Sequence, residues 1–284
     1  MNAIELHGLE KHYRGFTFGP IDLTLPSGCI MGLVGVNGAG KTTLFRLLLG
    51  MAKKEGGTVR LLGRDAEGNA SLKEELGVVL ESAGFPACLT PAEIGSFLKG
   101  CYSRWDGKKY EELLARFRVG EVKYSALSRG MKMKLSLAAA LSHEPKLLLL
   151  DEATSGLDPV ARQDILDMLM EFTRDEAHSV LFSSHIADDL EKVCDYVTFL
   201  HGGKVLLSEE KDALLECYGV LNCSGEEFSE IPREAVVSFR RSPYGVTAVV
   251  RQEALPIGVQ VQRVGLEELF RALAQEEEHV CKGC

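Results

Sequence analysis

The chain has no apolar run near the ~20 residues that a bilayer span requires; candidates such as Leu147-Leu148-Leu149-Leu150 have the length of a strand. A secretory leader is missing too, since Glu5, His7, Glu10 and Lys11 interrupt the apolar stretch it would need, and a cytoplasmic address is expected. Basic charge is in deficit. With 32 Lys and Arg against 41 Asp and Glu, the net charge of −9 argues against a general nucleic-acid surface, so no nucleic-acid partner is expected. Of eight cysteines, Cys29, Cys88, Cys101, Cys194, Cys217 and Cys223 stand singly, which excludes a four-cysteine zinc site built from paired CxxC motifs. Cys281 and Cys284 form the one CxxC, close to His279, and read either as a metal or redox pair or as a frayed tail. Long-period repeats, low-complexity tracts and long coiled-coil heptads are also lacking. What remains is a 284-residue chain with 45% hydrophobic residues, enough for roughly two domain-sized units with buried cores.

The most informative stretch is Gly35-Val36-Asn37-Gly38-Ala39-Gly40-Lys41-Thr42-Thr43, which fits GxxxxGKT. The apolar run Cys29 to Val34 precedes it and a helical pattern from Leu44 to Leu49 follows, the strand-to-helix context that a phosphate-cradling loop needs. The glycines let the backbone wrap a polyphosphate, and the N–H groups of Gly38, Ala39, Gly40 and Lys41 can point at its oxygens. A helix N-terminus adds favourable partial charge. Lys41 is placed for the β- and γ-phosphates, the Thr42 hydroxyl for magnesium and Thr43 for the α-phosphate.

Upstream, residues 2 to 9 and 16 to 25 alternate as half-buried strands, with Tyr13 between them. An aromatic ring there can stack on a nucleotide base or pack locally, and spacing does not separate the two. Gly56-Gly57 leads into a strand over 58 to 62, and Gly77 to Leu80 forms another that ends at Glu81. Residues 91 to 101, 106 to 118 and 128 to 143 read as helices, with Thr90-Pro91 and Ser128 as start signals, and form a helical insert over about 86 to 145. The continuous apolar pattern of a doubly covered strand resumes at Lys146 to Leu150. It delivers Asp151 and Glu152 to the sheet edge where parallel sheets bind ligands. Asp-Glu after an apolar run often opens a solvated loop. Beside a phosphate loop, Asp151 is assigned to hold magnesium and Glu152 to orient or deprotonate the attacking water.

A further strand over 179 to 184 ends at His185, an imidazole at the same edge that can hydrogen-bond the γ-phosphate. Residues 197 to 207 read as a hairpin about Gly202-Gly203. Beyond 211, strand-like runs at 236–240, 246–251 and 259–264 precede a helix at 266–274. The expected architecture is α/β: a phosphate-loop NTPase core with a mostly parallel sheet, an N-terminal antiparallel β subdomain and the helical insert within 1–210. A small α+β accessory domain occupies 211–284.

Taken together these motifs resemble the ATP-binding subunit of an ABC transporter, over roughly residues 2 to 210, in the manner of exporter-type subunits of antibiotic and drug efflux systems. The loop GVNGAGKTT and the run LLLLDEATSGLDP are similar to that family's two nucleotide motifs, and Leu127-Ser128-Arg129-Gly130-Met131 to its signature. The resemblance makes Tyr13 the adenine-stacking aromatic, Asp158 the loop aspartate between subunits and His185 the switch histidine. It implies bound ATP and Mg2+, and a head-to-tail dimer in which one copy's phosphate loop faces Ser128 and Gly130 of the other. ATP hydrolysis would then power substrate movement, in the export direction, by a separate membrane-spanning permease subunit. Two positions depart from the pattern: Glu81 and Met131 stand where glutamines are usual. The extra charge at Glu81 can help hold the metal or repel the nucleotide. Phe97, Tyr102 and Trp105 in the insert are available either for docking the permease or for core packing. The competing readings are a non-transport ATPase of the same superfamily, acting on ribosomes or DNA, and a regulatory nucleotide-binding module.

Overall fold

A computed structural model describes residues 1–81 and 84–282, with side chains through Glu276. Cys281 and Cys284, with His279 beside them, lie outside the described side chains. Strands β1 (Asn2–Tyr13) and β2 (Phe16–Pro26) pair because the alternation that buries Ile4, Leu6 and Leu9 is answered by Phe18, Ile21, Leu23 and Leu25. Only Arg14-Gly15 separates them, with Gly15 at φ 85°. Tyr13 is therefore the last residue of β1, paired with Phe16, and not part of a connecting loop.

From β3 (Ile30–Val34) the chain enters the glycine-rich segment and α1 (Lys41–Leu48). It returns through β4 (Gly56–Leu61) and β5 (Arg64–Asp65), completing a four-stranded antiparallel sheet of order β2-β1-β4-β5. The short α2 (Ala70–Lys73) leads to β6 (Leu76–Val79), and the insert follows as α3 (Pro91–Lys99), α4 (Gly107–Arg116) and α5 (Arg129–Leu141). Each of these three starts at a capping side chain: Thr90 in a reciprocal box with Glu93, then Asp106, then Ser128. The core resumes with β7 (Leu147–Asp151), α6 (Pro159–Phe172), β8 (Ser179–Ser183), α7 (Ala187–Val193), β9 (Tyr196–His201) and β10 (Lys204–Glu210).

Six strands form the central sheet in the order β10-β9-β3-β8-β7-β6, parallel except for β10, which turns back on β9 through Gly202 and Gly203 at φ 53° and 82°. β3, β7 and β8 are buried at every residue, as continuous apolar runs require. Alternation divides them between two cores. Met31, Leu33, Leu147, Leu149 and Leu181 face the antiparallel sheet and α1, whereas Ile30, Leu148, Leu150, Val180 and Phe182 face α5, α6 and α7. Since β3, β8 and β7 are adjacent and parallel, the residues after Val34, Asp151 and Ser183 emerge together at one edge.

Two of the three insert aromatics are packed. Tyr102 stacks on His143 at 4.0 Å between ring centroids, and Trp105 lies 5.1 Å from Tyr110, while Phe97 is exposed. His143 is itself buried, with Nδ1 3.1 Å from the Glu74 carbonyl oxygen, and burial pushes its pKa below the ordinary 6.5. The folded chain thus binds this proton less readily than the unfolded chain. Its contribution to stability is complete above pH 6.5 and is lost as pH falls below that value. His143→Gln is expected to flatten the decline of Tm between neutral pH and pH ~5 relative to the native chain, as measured by thermal melts.

The C-terminal part comprises α8 (Lys211–Cys217), β11 (Tyr218–Cys223), α9 (Gly225–Ser229), β12 (Val236–Ser242), β13 (Gly245–Arg251), β14 (Gln262–Arg263) and α10 (Leu266–Lys282). Its antiparallel sheet runs β12-β13-β11-β14. The strand expected over 259–264 is reduced to β14, and β11 carries no clear signal because Gly219 and Asn222 break its pattern. Gly219 is required there, since a Cβ would lie 2.5 Å from Val261. Phe270 packs edge-on against Phe199 of β9 at 5.4 Å, so this part shares a continuous apolar core with the central sheet.

Candidate nucleotide site

The segment between β3 and α1 is fixed by close approaches that only glycine tolerates. A Cβ on Gly40, which sits at φ 111°, would lie 2.7 Å from the Phe18 ring, and one on Gly35 would lie 2.7 Å from the Leu200 carbonyl oxygen. Gly40 is also the residue before the first turn of α1, so the helix N-terminus opens directly into the loop. Val36 to Thr43 line a cavity of about 810 Å3 together with Phe16, Glu81, Glu152, Ser155 and His185. Gly35 stands behind it, donating no side chain but accepting from Lys41 Nζ at 2.7 Å through its carbonyl.

Three neighbouring strand ends supply the polar groups. Asp151 is 1% exposed and accepts from Thr42 Oγ1 at 2.8 Å and from Ser183 Oγ at 2.7 Å, which locks the β7, β8 and α1 contributions together. Glu152 follows at φ 56°, a left-handed conformation that costs a non-glycine residue about 1–3 kcal/mol. Its N–H offsets part of that cost by donating to Ser183 Oγ at 2.9 Å. The strained turn aims its carboxylate into the cavity, where Oε1 lies 3.5 Å from Lys41 Nζ and Oε2 lies 2.7 Å from His185 Nδ1. A buried carboxylate, a buried ammonium and an imidazole therefore converge, the ammonium from more than a hundred positions before the other two.

Phe16, which carried no sequence assignment, forms part of the cavity wall. Tyr13 does not line it; its ring stacks on Phe16 at 6.5 Å and is 41% exposed. The hairpin register that pairs Tyr13 with Phe16 is the signal that locates both. Ser128, Gly130 and Asp158 lie elsewhere, in a second cavity of about 400 Å3 that also includes Met131, Arg116 and Lys134. Ser128 Oγ caps α5 by accepting from Met131 N–H at 3.2 Å. Asp158 caps α6 by accepting from Ala161 and Val160 N–H groups, and the Ala161 bond is the main cause of its lowered pKa.

Arg129, also unassigned, accounts for the behaviour of Glu81. Its guanidinium lies 3.4 Å from Glu81 Oε1 and donates to Ser155 Oγ at 3.3 Å, so the extra carboxylate at the cavity rim faces a cation. Both side chains are more than half exposed, and such pairs contribute about 0–1 kcal/mol. Glu81→Gln is accordingly expected to change kcat/KM for ATP by less than about fivefold, measured by steady-state phosphate release.

A parallel sheet with a glycine-rich loop entering a helix, a buried carboxylate pair at the end of a strand one removed in the sheet and a lysine between them defines a phosphate-loop nucleoside triphosphatase. The chain belongs to the ABC transporter ATP-binding family. The model of the ABC transporter family matches residues 18–155. The bacitracin transport ATP-binding protein BcrA of Enterococcus faecalis is 36% identical over 209 residues, covering 72% of this chain and 68% of that protein. The Nod factor export ATP-binding protein I of Rhizobium leguminosarum is 33% identical, covering 75% and 71%. An ABC transporter ATP-binding protein of Synechocystis, sll0415, is 30% identical over 95% of this chain and 84% of its own length, so its likeness extends into the C-terminal part. Among solved structures, an ATP-binding subunit of an ABC transporter superposes with TM-score 0.68 at 26% identity, covering 75% of this chain and 92% of that one. The chain is thus an ATPase and the ATP-binding subunit of a transporter, and the ribosome- or DNA-acting alternative falls away.

Proposed function

We propose that two such subunits, this chain with itself or with a sister chain, close around ATP and Mg2+ and that hydrolysis reopens them. The motion would power export by a separate membrane-spanning permease subunit. One observation carries the reading: the cavity of the phosphate loop and the cavity of Ser128, Gly130 and Asp158 share no lining residue, so each is half of a site that a second subunit can complete. In this reading the ATP-binding domain is 1–210 and the accessory domain 211–284.

Within one site, N–H groups of Gly38, Ala39, Gly40 and Lys41 hold the phosphates, Lys41 Nζ turns to the β- and γ-oxygens, and Thr43 takes the α-phosphate. The Tyr13 ring, backed by Phe16, stacks on the base. Glu152 holds the attacking water and accepts its proton, while His185, anchored to Glu152 by Nδ1, leaves Nε2 for the γ-phosphate. Thr42 and Asp151 suit Mg2+, being hard oxygen donors already 2.8 Å apart. Among the described residues no group of three or more His, Cys, Asp or Glu could hold a metal unaided. When bound, the ion neutralises charge on the β- and γ-phosphates. Glu81, which meets Arg129 through Oε1, would be the third oxygen ligand.

No helix among the described residues is long and apolar enough to cross a membrane. The relatives' names as ATP-binding proteins of transport and export systems favour a peripheral place on the cytoplasmic face through the permease. Exposed Phe97 is the insert aromatic suited to that contact. The relative named for Nod factor export favours the outward direction. The test uses Ser128→Arg in a Glu152→Gln background. We expect Glu152→Gln to sediment as a dimer with ATP. The double variant should remain monomeric while binding ATP within about twofold of Glu152→Gln, because the added side chain fills only the second cavity. A monomer in both backgrounds, with the permease present, would overturn the reading.

A further inference from the structure

Away from the nucleotide cavity, a buried carboxylate faces a half-buried guanidinium without a hydrogen bond between them. Asp189 on α7 is 1% exposed, and neither of its carboxylate oxygens has a hydrogen-bond partner among the described residues. Arg162 on α6 faces it, with Nε also unpartnered and 3.8 Å from Asp189 Oδ2. This separation is about 1 Å longer than a charge-assisted hydrogen bond. Packing alone does not call for an aspartate here, because an apolar side chain would occupy the place without the desolvation cost of a bare carboxylate.

The pair's position gives it a task. Arg162 stands four residues after Asp158, and its Nη2 reaches the Leu157 carbonyl oxygen at 3.4 Å, so the guanidinium touches the loop that carries Ser155 and Asp158. Asp189 stands four residues after His185, whose Nδ1 is bonded to Glu152. The far end of α7 is tied down. Glu191 Oε1 accepts from Leu266 N–H at 2.5 Å, and the Glu191 carbonyl accepts from Lys211 Nζ at 2.7 Å. A displacement passed from α6 to α7 is therefore felt at the end that bears His185. Ser155 lines the phosphate cavity and Asp158 the second one, so the loop that Arg162 holds is in contact with both half-sites.

We infer that Arg162 and Asp189 are positioning residues for hydrolysis: the gap between them closes when a second subunit engages the Ser155–Asp158 loop, and closure holds the existing His185–Glu152 contact in place during turnover. This rests on the two-subunit reading above. The pair touches neither phosphate nor water, so its removal should affect turnover and spare nucleotide binding. In the full-length chain, Asp189→Asn and Arg162→Gln are each expected to lower kcat for ATP roughly tenfold or more, the effect of losing one charge-assisted hydrogen bond, with KM within about threefold. The double variant should be no worse than either single one, because the two side chains act as one contact. Asp189→Glu, long enough to span the gap, should keep kcat within about threefold of the native chain.

Additive losses, a kcat unchanged in Asp189→Asn, or an Asp189→Glu as damaged as Asp189→Asn would overturn the inference. Should Asp189→Asn fold poorly, Arg162→Gln at the more exposed partner, compared with Arg162→Lys, decides the same question. Additive losses with an intact ATP-dependent dimer of Glu152→Gln would sink the pair alone. Absence of that dimer would sink the two-subunit reading and the inference together.

Discussion

Glu152→Gln is expected to lower kcat roughly 10²–10⁴-fold, the range by which positioned acid–base groups accelerate reactions, while ATP binds as tightly as before or tighter. The carboxylate is 8% exposed, held by His185 at 2.7 Å and Lys41 at 3.5 Å, so glutamine of the same shape keeps the packing and the bond to the imidazole. What it loses is the ability to accept a proton from water. It also loses a negative charge in a low-dielectric pocket that must admit a triphosphate, which is why affinity should hold or rise. Single-turnover phosphate release and equilibrium binding of labelled ATP measure the two effects separately. If binding and turnover fell in parallel, Glu152 would be a structural residue and another base would have to be sought.

Lys41→Ala is expected to weaken ATP binding by two orders of magnitude or more. Charge-assisted hydrogen bonds contribute about 1.5–3 kcal/mol each, and Lys41 is placed for two phosphates. The lysine is 6% exposed and lies between the Gly35 carbonyl oxygen and the Glu152 carboxylate. Its removal deletes the cation and leaves that carboxylate uncompensated where the γ-phosphate must come, so loss and repulsion add. Isothermal titration with ATP reads the effect directly. Lys41→Arg should rescue little, because a longer, planar guanidinium does not reproduce the compact ammonium held between the Gly35 carbonyl and the Glu152 carboxylate. An unchanged affinity in Lys41→Ala would place the phosphates elsewhere.

Much of the site could be read from residue order alone. The span from Gly35 to Thr43, the Asp151-Glu152 pair after four leucines and His185 after an apolar strand are each local signals, because a glycine-rich turn, a buried strand and its end are written in contiguous residues. The helix starts at Thr90 and Ser128 were legible for the same reason: a cap acts within one turn. Phe16 and Arg129 were not. One enters the cavity through hairpin register, and the other stands outside it against Glu81, forty-eight positions away. The C-terminal sheet was only partly legible, since the strand Tyr218 to Cys223 owes its place to neighbours on both sides and not to its own alternation.

By itself the amino-acid order determined the groups available to this ATPase: a glycine-rich loop with its lysine, an aspartate and a glutamate at a strand end, a histidine at another, and helices and strands with their faces assigned. Such features depend on residues a few positions apart, whose geometry is fixed by backbone sterics and short-range periodicity. Tertiary structure decided which of them meet. It joined Thr42, Asp151 and Ser183 in one hydrogen-bonded cluster, paired Glu81 with Arg129, and faced Arg162 with Asp189. It also set Ser128 and Asp158 apart from the phosphate loop. The reason is that contacts between distant residues depend on strand order and on how the insert packs, and these follow from burying the whole apolar surface at once, which no single stretch of the chain encodes.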